Sequence, residues 1–267
     1  MRVRFWGVRG SVPYTTLESV GYGCNTACIE VVDEPSGRML ILDAGTGIVG
    51  VGDAMAPRAH EVSILLSHYH WDHVQGLPYF APVYRAAELL TLWAPALGSS
   101  RADVERLFAE PYHPVSYQQL LSSPAIRMIG PGEAIINGFS VSVLRLNHPG
   151  GALGYRIRGD DGDLLYLTDH EFGDPSFDDP LAAFAANADT IILDAHFTPD
   201  ELPRFRGWGH ADWRECATFA KACRAKRLWL THHKPGRTDR ELDDIEAEAR
   251  RIFPETKAAR EGEIFVV

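Results

Sequence analysis

The apolar run from Val62 to Leu66 opens directly into Ser67-His68-Tyr69-His70-Trp71-Asp72-His73. A run broken only by Ser63 reads as a buried strand. Three imidazoles and a carboxylate within the six residues from His68 to His73 are hard to explain by packing. Imidazole and carboxylate suit zinc, manganese or iron, and a loop leaving a strand lets such side chains converge on one point. The chain must therefore build a fold whose strand ends meet around a polar centre.

Other segments fit that demand. Short strand-like runs fill the first third, at Arg2–Val8, Ala27–Val32 and Met39–Asp43, with Pro35-Ser36-Gly37 as a hairpin turn between the last two. Residues 83–94 combine a helical piece with a strand around Leu89–Trp93. A helix start falls at Ser100–Ala109, and 110–124 reads as loop with a short helix. Strands return at Ile126–Ile129, Phe139–Leu146, and Leu153–Arg158 paired with Leu164–Thr168 across GDDGD. The last third alternates helix with strand: Pro180–Ala186 with Thr190–Asp194, Asp212–Ala225 with Arg227–Thr231, and Arg240–Phe253 with Glu263–Val267. Asp212 and Glu215 form a capping-box start. Two strand-rich halves, each carrying helices, predict an α/β fold of two face-to-face sheets with helices outside. No repeat or linker divides residues 1–267, which read as one domain.

The sequence carries 26 Lys+Arg against 36 Asp+Glu, a net charge of −10, which argues against non-specific wrapping of nucleic acid. The opening MRVRFWGV reads as a strand rather than a signal peptide, and no apolar run approaches a membrane span. With no export signal, Cys24, Cys28, Cys216 and Cys223 are expected as reduced core thiols. A cytoplasmic protein without membrane partners is expected.

HYHWDH resembles the HxHxDH signature of the metallo-β-lactamase superfamily of dinuclear metallohydrolases, whose fold is a four-layer αββα sandwich. The later positions occur in the family's order: His148 in LNHPGG, Asp169 in YLTDH and His232 in LWLTHH. The resemblance implies one metal held by His68, His70 and His148. A second would be held by Asp72, His73 and His232, with Asp169 bridging. His233 is the alternative to His232, since adjacent strand residues face opposite ways. The cofactors implied are two divalent ions, zinc first and manganese or iron as alternatives. A water between two such cations ionises near neutral pH, with Asp72 and Asp169 polarising it.

GWGHADWRECATFAKACRAKRLWLTHH resembles a segment of transfer-RNA 3′-processing nucleases and related phosphodiesterases. His210 would there contact the scissile phosphate and donate a proton to the leaving oxygen. This chain has His210-Ala211 where that branch usually has His-Ser or His-Thr. Residues 149–168 leave no room for the long RNA-gripping arm of those nucleases, which points to a short-arm group acting on small substrates. FWGVRGSVP, GCNTACIEV, LILDAGTGI and IILDAHFTP add to that resemblance. The expected reaction is hydrolysis of a small or cyclic nucleotide-like phosphodiester, without stable binding of a nucleic-acid polymer; a homodimer is implied by resemblance only. RNA processing, thioester or lactone hydrolysis, and an inactive metal-binding regulatory module are the alternatives.

Supporting positions are less defined. Asp43 and Asp194, each after a strand, can orient a metal histidine through its far nitrogen. His170 and His196 also follow strand ends and can line the pocket. Arg9 and Ser11 sit in GVRGS, where a plain turn is simpler than a phosphate contact. Tyr69 and Trp71 would pack against or rim the site, and Gly150-Gly151 permits a tight turn.

Overall fold

The computed structural model describes residues 1–55, 61–86, 89–160 and 162–267. Residues 87–88 of the 83–94 segment and Asp161 of the GDDGD turn lie outside them. The strands are β1 Arg2–Gly7, β2 Cys28–Asp33, β3 Arg38–Leu42, β4 Glu61–Leu65, β5 Leu89–Pro95, β6 Ala125–Ile129 and β7 Gly132–Ile136. They continue as β8 Phe139–Leu146, β9 Ala152–Arg158, β10 Asp163–Leu167, β11 Thr190–Asp194, β12 Arg227–Thr231, β13 Thr256–Ala258 and β14 Ile264–Val266. The helices are α1 Ile48–Ala54, α2 Trp71–Val74, α3 Arg101–Arg106, α4 Pro175–Ala185, α5 Trp213–Ala222 and α6 Asp239–Ile252.

One sheet runs β14-β1-β2-β3-β4-β5-β6 and the other β13-β12-β11-β10-β9-β8-β7. Because strand side chains alternate between faces, each sheet feeds two cores. Phe5, Val31 and Leu42 meet Val141, Tyr166 and Trp229 between the sheets. Ile41 and Ile64 face outward onto Ile48 and Val51 of α1 and Val104 of α3. Leu165, Ile191 and Leu230 face outward onto Leu181, Ala217 and Ile245 of α4, α5 and α6. The layers are thus α-β-β-α, the expected sandwich. Among the described residues no helix is long and apolar enough to cross a membrane.

Several boundaries differ from the sequence reading. α4 begins at Pro175 rather than Pro180, because Asp174 caps it by accepting from the Ser176 amide and Pro175 suits the first turn. Pro180 therefore lies inside the helix. β7 has no counterpart in the reading: it is an edge strand, mostly exposed, so its side chains carry little apolar alternation. β13, three residues long, is likewise unread. α5 does start from the Asp212–Glu215 capping box.

What positions the centre is strand direction. β8, β10, β11 and β12 all run the same way, since β8 and β10 each pair antiparallel with β9 while β10, β11 and β12 are mutually parallel. β3 and β4 are parallel in the other sheet. The residues that follow these strands gather at one edge of the sandwich, outside the carboxyl ends of the strands.

Candidate metal centre

After β4, Ser67 and His68 lead to His70 and then to α2, which carries Asp72 and His73. His148 follows β8, Asp169 follows β10, Asp194 ends β11 and His232 follows β12. The two carboxylate oxygens of Asp169 divide the histidines. Its Oδ2 lies 3.5 Å from His68 Nε2 and 3.5 Å from His148 Nε2, and His148 Nε2 is 3.0 Å from His70 Nδ1. Its Oδ1 lies 3.4 Å from His73 Nε2 and 3.3 Å from His232 Nε2. Asp72 Oδ2 joins the second group, 3.3 Å from His73 Nε2 and 3.0 Å from His232 Nε2.

Two four-sided cages thus share one carboxylate. His68 Nε2 is buried with no hydrogen-bond partner among the described residues, and opposed imidazole nitrogens such as His73 and His232 Nε2 stand 3.3 Å apart. A divalent cation would satisfy both features, and a donor set of nitrogen and oxygen fits zinc, manganese or iron.

Electrostatics favour the ligating form at five of the seven donors, whereas His73 and His232 are raised against their burial by the carboxylates of Asp72 and Asp169. Burial, reinforced by neighbouring histidines, holds His68 well below the ordinary histidine range. Burial likewise lowers His70 and His148, so their lone pairs are free. Burial alone would raise Asp169, but His232, His73 and His68 outweigh it and hold the carboxyl well below its usual range. Asp72 is depressed in the same way against its own burial, by His73 and His232.

A second ring of groups sets the imidazoles. Asp43 Oδ2 accepts from His73 Nδ1 at 2.8 Å, from Ser67 Oγ at 2.8 Å and from the Tyr166 hydroxyl at 2.7 Å, while its Oδ1 accepts from the Ser67 amide. His148 Nδ1 donates to the Gly209 carbonyl at 2.9 Å, and Thr168 Oγ1 donates to Asp169 Oδ1 at 2.6 Å. Ser67, Tyr166, Thr168 and Gly209 escape the sequence reading. Gly209 acts through its backbone, which leaves no side-chain signal, although φ there is +84° and a Cβ would fall 2.1 Å from His148 Nδ1. Asp43, Asp169 and His232 all take left-handed backbone conformations, with φ of 61°, 55° and 59°. Such strain costs on the order of 1–3 kcal/mol per residue and collects where geometry must be held.

Asp194 Oδ2 accepts from His210 Nδ1 at 2.7 Å, and its Oδ1 accepts from the His196 amide at 2.9 Å. His210 stacks on two neighbours, with ring centroids 4.6 Å from His196 and 5.1 Å from His232, which lie 5.4 Å from each other. Burial works against a charged His210, yet Asp194, with Asp169 and Asp72, raises its pKa to about 9. His196 Nδ1 donates to the His232 carbonyl.

The structure does not bring every read residue inward. His170 Nδ1 accepts from the Asn147 amide and its Nε2 faces Asp178, away from the donors. His233 also turns away, donating to the Ala259 carbonyl, because its neighbour His232 takes the inward face. Arg9 is fully buried, its guanidinium donating to the carbonyls of Gly23, Arg237 and Ser19, so it is a structural tie. Arg9→Met strands those carbonyls and is expected to lower unfolding free energy by about 3 kcal/mol in urea titration; a change under about 1 would refute the tie. Ser11 meets the centre through its backbone amide, which donates to Asp72 Oδ2 at 2.7 Å. Cys28, Cys216 and Cys223 are buried and all four thiols unpaired, but Cys24 is only half-buried.

The sandwich and this nitrogen–oxygen centre together define a metal-dependent hydrolase. The family description "Beta-lactamase superfamily domain" matches residues 38–233, and the chain belongs to the metallo-β-lactamase superfamily. The probable metallo-hydrolase YhfI of Bacillus subtilis (strain 168) is 23% identical over 270 residues, 98% of each chain. Its crystal structure aligns at a TM-score of 0.73 and 20% identity, covering 99% of this chain and 98% of that one. Ribonuclease Z of Bradyrhizobium diazoefficiens is 26% identical over 287 residues, 88% of this chain and 92% of that protein. A shorter match, to ribonuclease Z of Gemmatimonas aurantiaca, is 39% identical over 90 residues but spans only 34% of this chain and 28% of that protein. A diphosphatase of the PhnP family shares the fold at a TM-score of 0.72 and 16% identity, covering 100% of this chain and 97% of that one.

Proposed function

We propose that this chain hydrolyses a small or cyclic nucleotide-like phosphodiester with two divalent ions, zinc in the first instance. The observation that carries the reading is the division of Asp169, one oxygen toward each group of donors. His68, His70 and His148 would hold one ion, Asp72, His73 and His232 the other, with Asp169 between. Bound there, the pair would supply a water ionised near neutral pH and would withdraw charge from the phosphoryl oxygens. Asp43 fixes His73 with its Nε2 turned inward, and the Gly209 carbonyl does the same for His148. His210, held by Asp194 through Nδ1, keeps Nε2 for the substrate and passes a proton to the leaving oxygen. Unpaired thiols fit a reducing compartment, so we place the reaction in the cytoplasm.

RNA processing is the second reading, favoured by relatives that bear the name ribonuclease Z. Against it stand the net charge of −10 and the short span of residues 149–168. It predicts cleavage of precursor transfer RNA with steep salt dependence of binding. The test of the favoured reading is turnover of bis(p-nitrophenyl) phosphate by zinc- or manganese-loaded protein. Chelation is expected to cut the rate at least about a hundredfold, with recovery on returning the metal. A fully metallated chain that turns over no phosphodiester would sink it.

A further inference from the structure

Trp71 lies between two of the clustered residues in the chain, yet it contributes nothing to the donor cluster. The residue is 61% exposed, and its ring meets Tyr112 edge to face with centroids 6.4 Å apart. Three of the four large aromatic side chains exposed among the described residues, Trp71, Tyr79 and Tyr112, line one cleft of about 280 Å³ beside α2. Gln75 and His113 also line it, and among the described residues no Lys, Arg, Asp or Glu does.

The walls are set in advance. The His113 ring stands edge-on to Tyr79 at 5.8 Å. Its Nδ1 donates to the Val115 carbonyl and its Nε2 lies 3.3 Å from the Tyr84 hydroxyl. Exposed aromatic surface gathered in one concave place marks a ligand site. A cleft whose described lining holds no Lys, Arg, Asp or Glu suits a planar ring rather than a phosphate. Its volume falls just below the roughly 300–1,000 Å³ of drug-sized sites, enough for a single ring system and little more. Trp71 lies between His70 and Asp72 in the chain, so one wall of the cleft is carried by the same short segment that carries the donors His70, Asp72 and His73.

We propose that this cleft receives the base of a mononucleotide-type substrate, with Trp71 and Tyr112 as its aromatic faces. The proposal rests on the phosphodiesterase reading for the phosphate end only. It makes the diester a nucleotide rather than a bare sugar phosphate.

The test is calorimetric binding of AMP and of ribose 5-phosphate to the zinc-loaded full chain, beside Trp71→Ala and Tyr112→Ala, with zinc content measured for each. AMP is expected to bind roughly five- to a hundredfold tighter than ribose 5-phosphate, the worth of one base–aromatic stack, and the difference should shrink in both variants. Tyr112 lies on a separate loop, so its variant decides the matter if Trp71→Ala loses zinc. Equal affinities in the native chain, or a preference that survives both substitutions, would overturn the proposal. A single-stranded RNA decamer held tighter than AMP with the same dependence on Tyr112 would overturn the mononucleotide assignment. Base preference in a chain that cleaves no diester would uphold the cleft and overturn the catalytic reading; diester turnover without base preference would do the reverse.

Discussion

Asp169→Asn is expected to lose at least one of two bound zinc ions and to cut diester turnover on the order of a thousandfold or more. The magnitude follows from several kcal/mol of charge stabilisation supplied by a metal pair, at 1.36 kcal/mol per decade. Asparagine is nearly isosteric and, like aspartate, tolerates the left-handed backbone that Asp169 adopts at φ 55°. Folding is therefore retained, and what changes is the charge. Asp169 faces His68 and His148 with one oxygen and His73 and His232 with the other, so both donor groups lose their shared anion at once. Metal analysis by emission spectroscopy, alongside kcat on bis(p-nitrophenyl) phosphate, checks both halves. A variant with two ions per chain and near-native turnover would remove Asp169 from the centre of the proposal.

How far the centre is legible in the sequence depends on whether a residue acts by its side chain or by its placement. His68, His70, Asp72 and His73 stand out because imidazole and carboxylate at the end of a buried strand have no packing use. His148, Asp169 and His232 become visible through the order of the family motifs they resemble, each just after a strand; the runs of β10 and β12 are largely apolar, whereas β8 alternates. Asp43, read as able to orient a histidine, does accept from His73 Nδ1. Tyr166 reads as a core aromatic, and only the fold reveals that its hydroxyl donates to Asp43 across the space between the sheets. The same limit explains Arg9. An arginine in GVRGS reads as part of a plain turn, whereas the carbonyls of Ser19 and Gly23 nearby and of Arg237 far along the chain satisfy its guanidinium in the interior. His170 fails for the opposite reason: its place after a strand end is right, but Asp178 of α4 draws its ring away. The αββα layering is legible because inner strands such as β4, β10 and β11 bury both faces and the helices follow in order. The exposed edge strand β7 and the three-residue β13 are what that pattern cannot supply.

His210→Ala is expected to retain both metal ions and still lose about 10²- to 10⁴-fold in kcat, the usual worth of a positioned proton donor. His210 sits in the set formed by Asp194, His196 and His232, outside the two groups that Asp169 divides. Its removal therefore leaves the donors of both cages in place. The size of the loss should depend on the leaving group. p-Nitrophenolate departs without help, so its diesters should lose near the bottom of that range. A diester with an alkyl alcohol as leaving group needs the proton and should lose near the top. A merely structural histidine would slow both substrates equally, and that result would return His210 to the packing of its stacked neighbours. Asp194→Asn gives the matching check, because it weakens the hold on His210 Nδ1 while leaving the imidazole present. It should reproduce the leaving-group dependence at reduced size, and equal losses on the two substrates would separate Asp194 from the proton transfer.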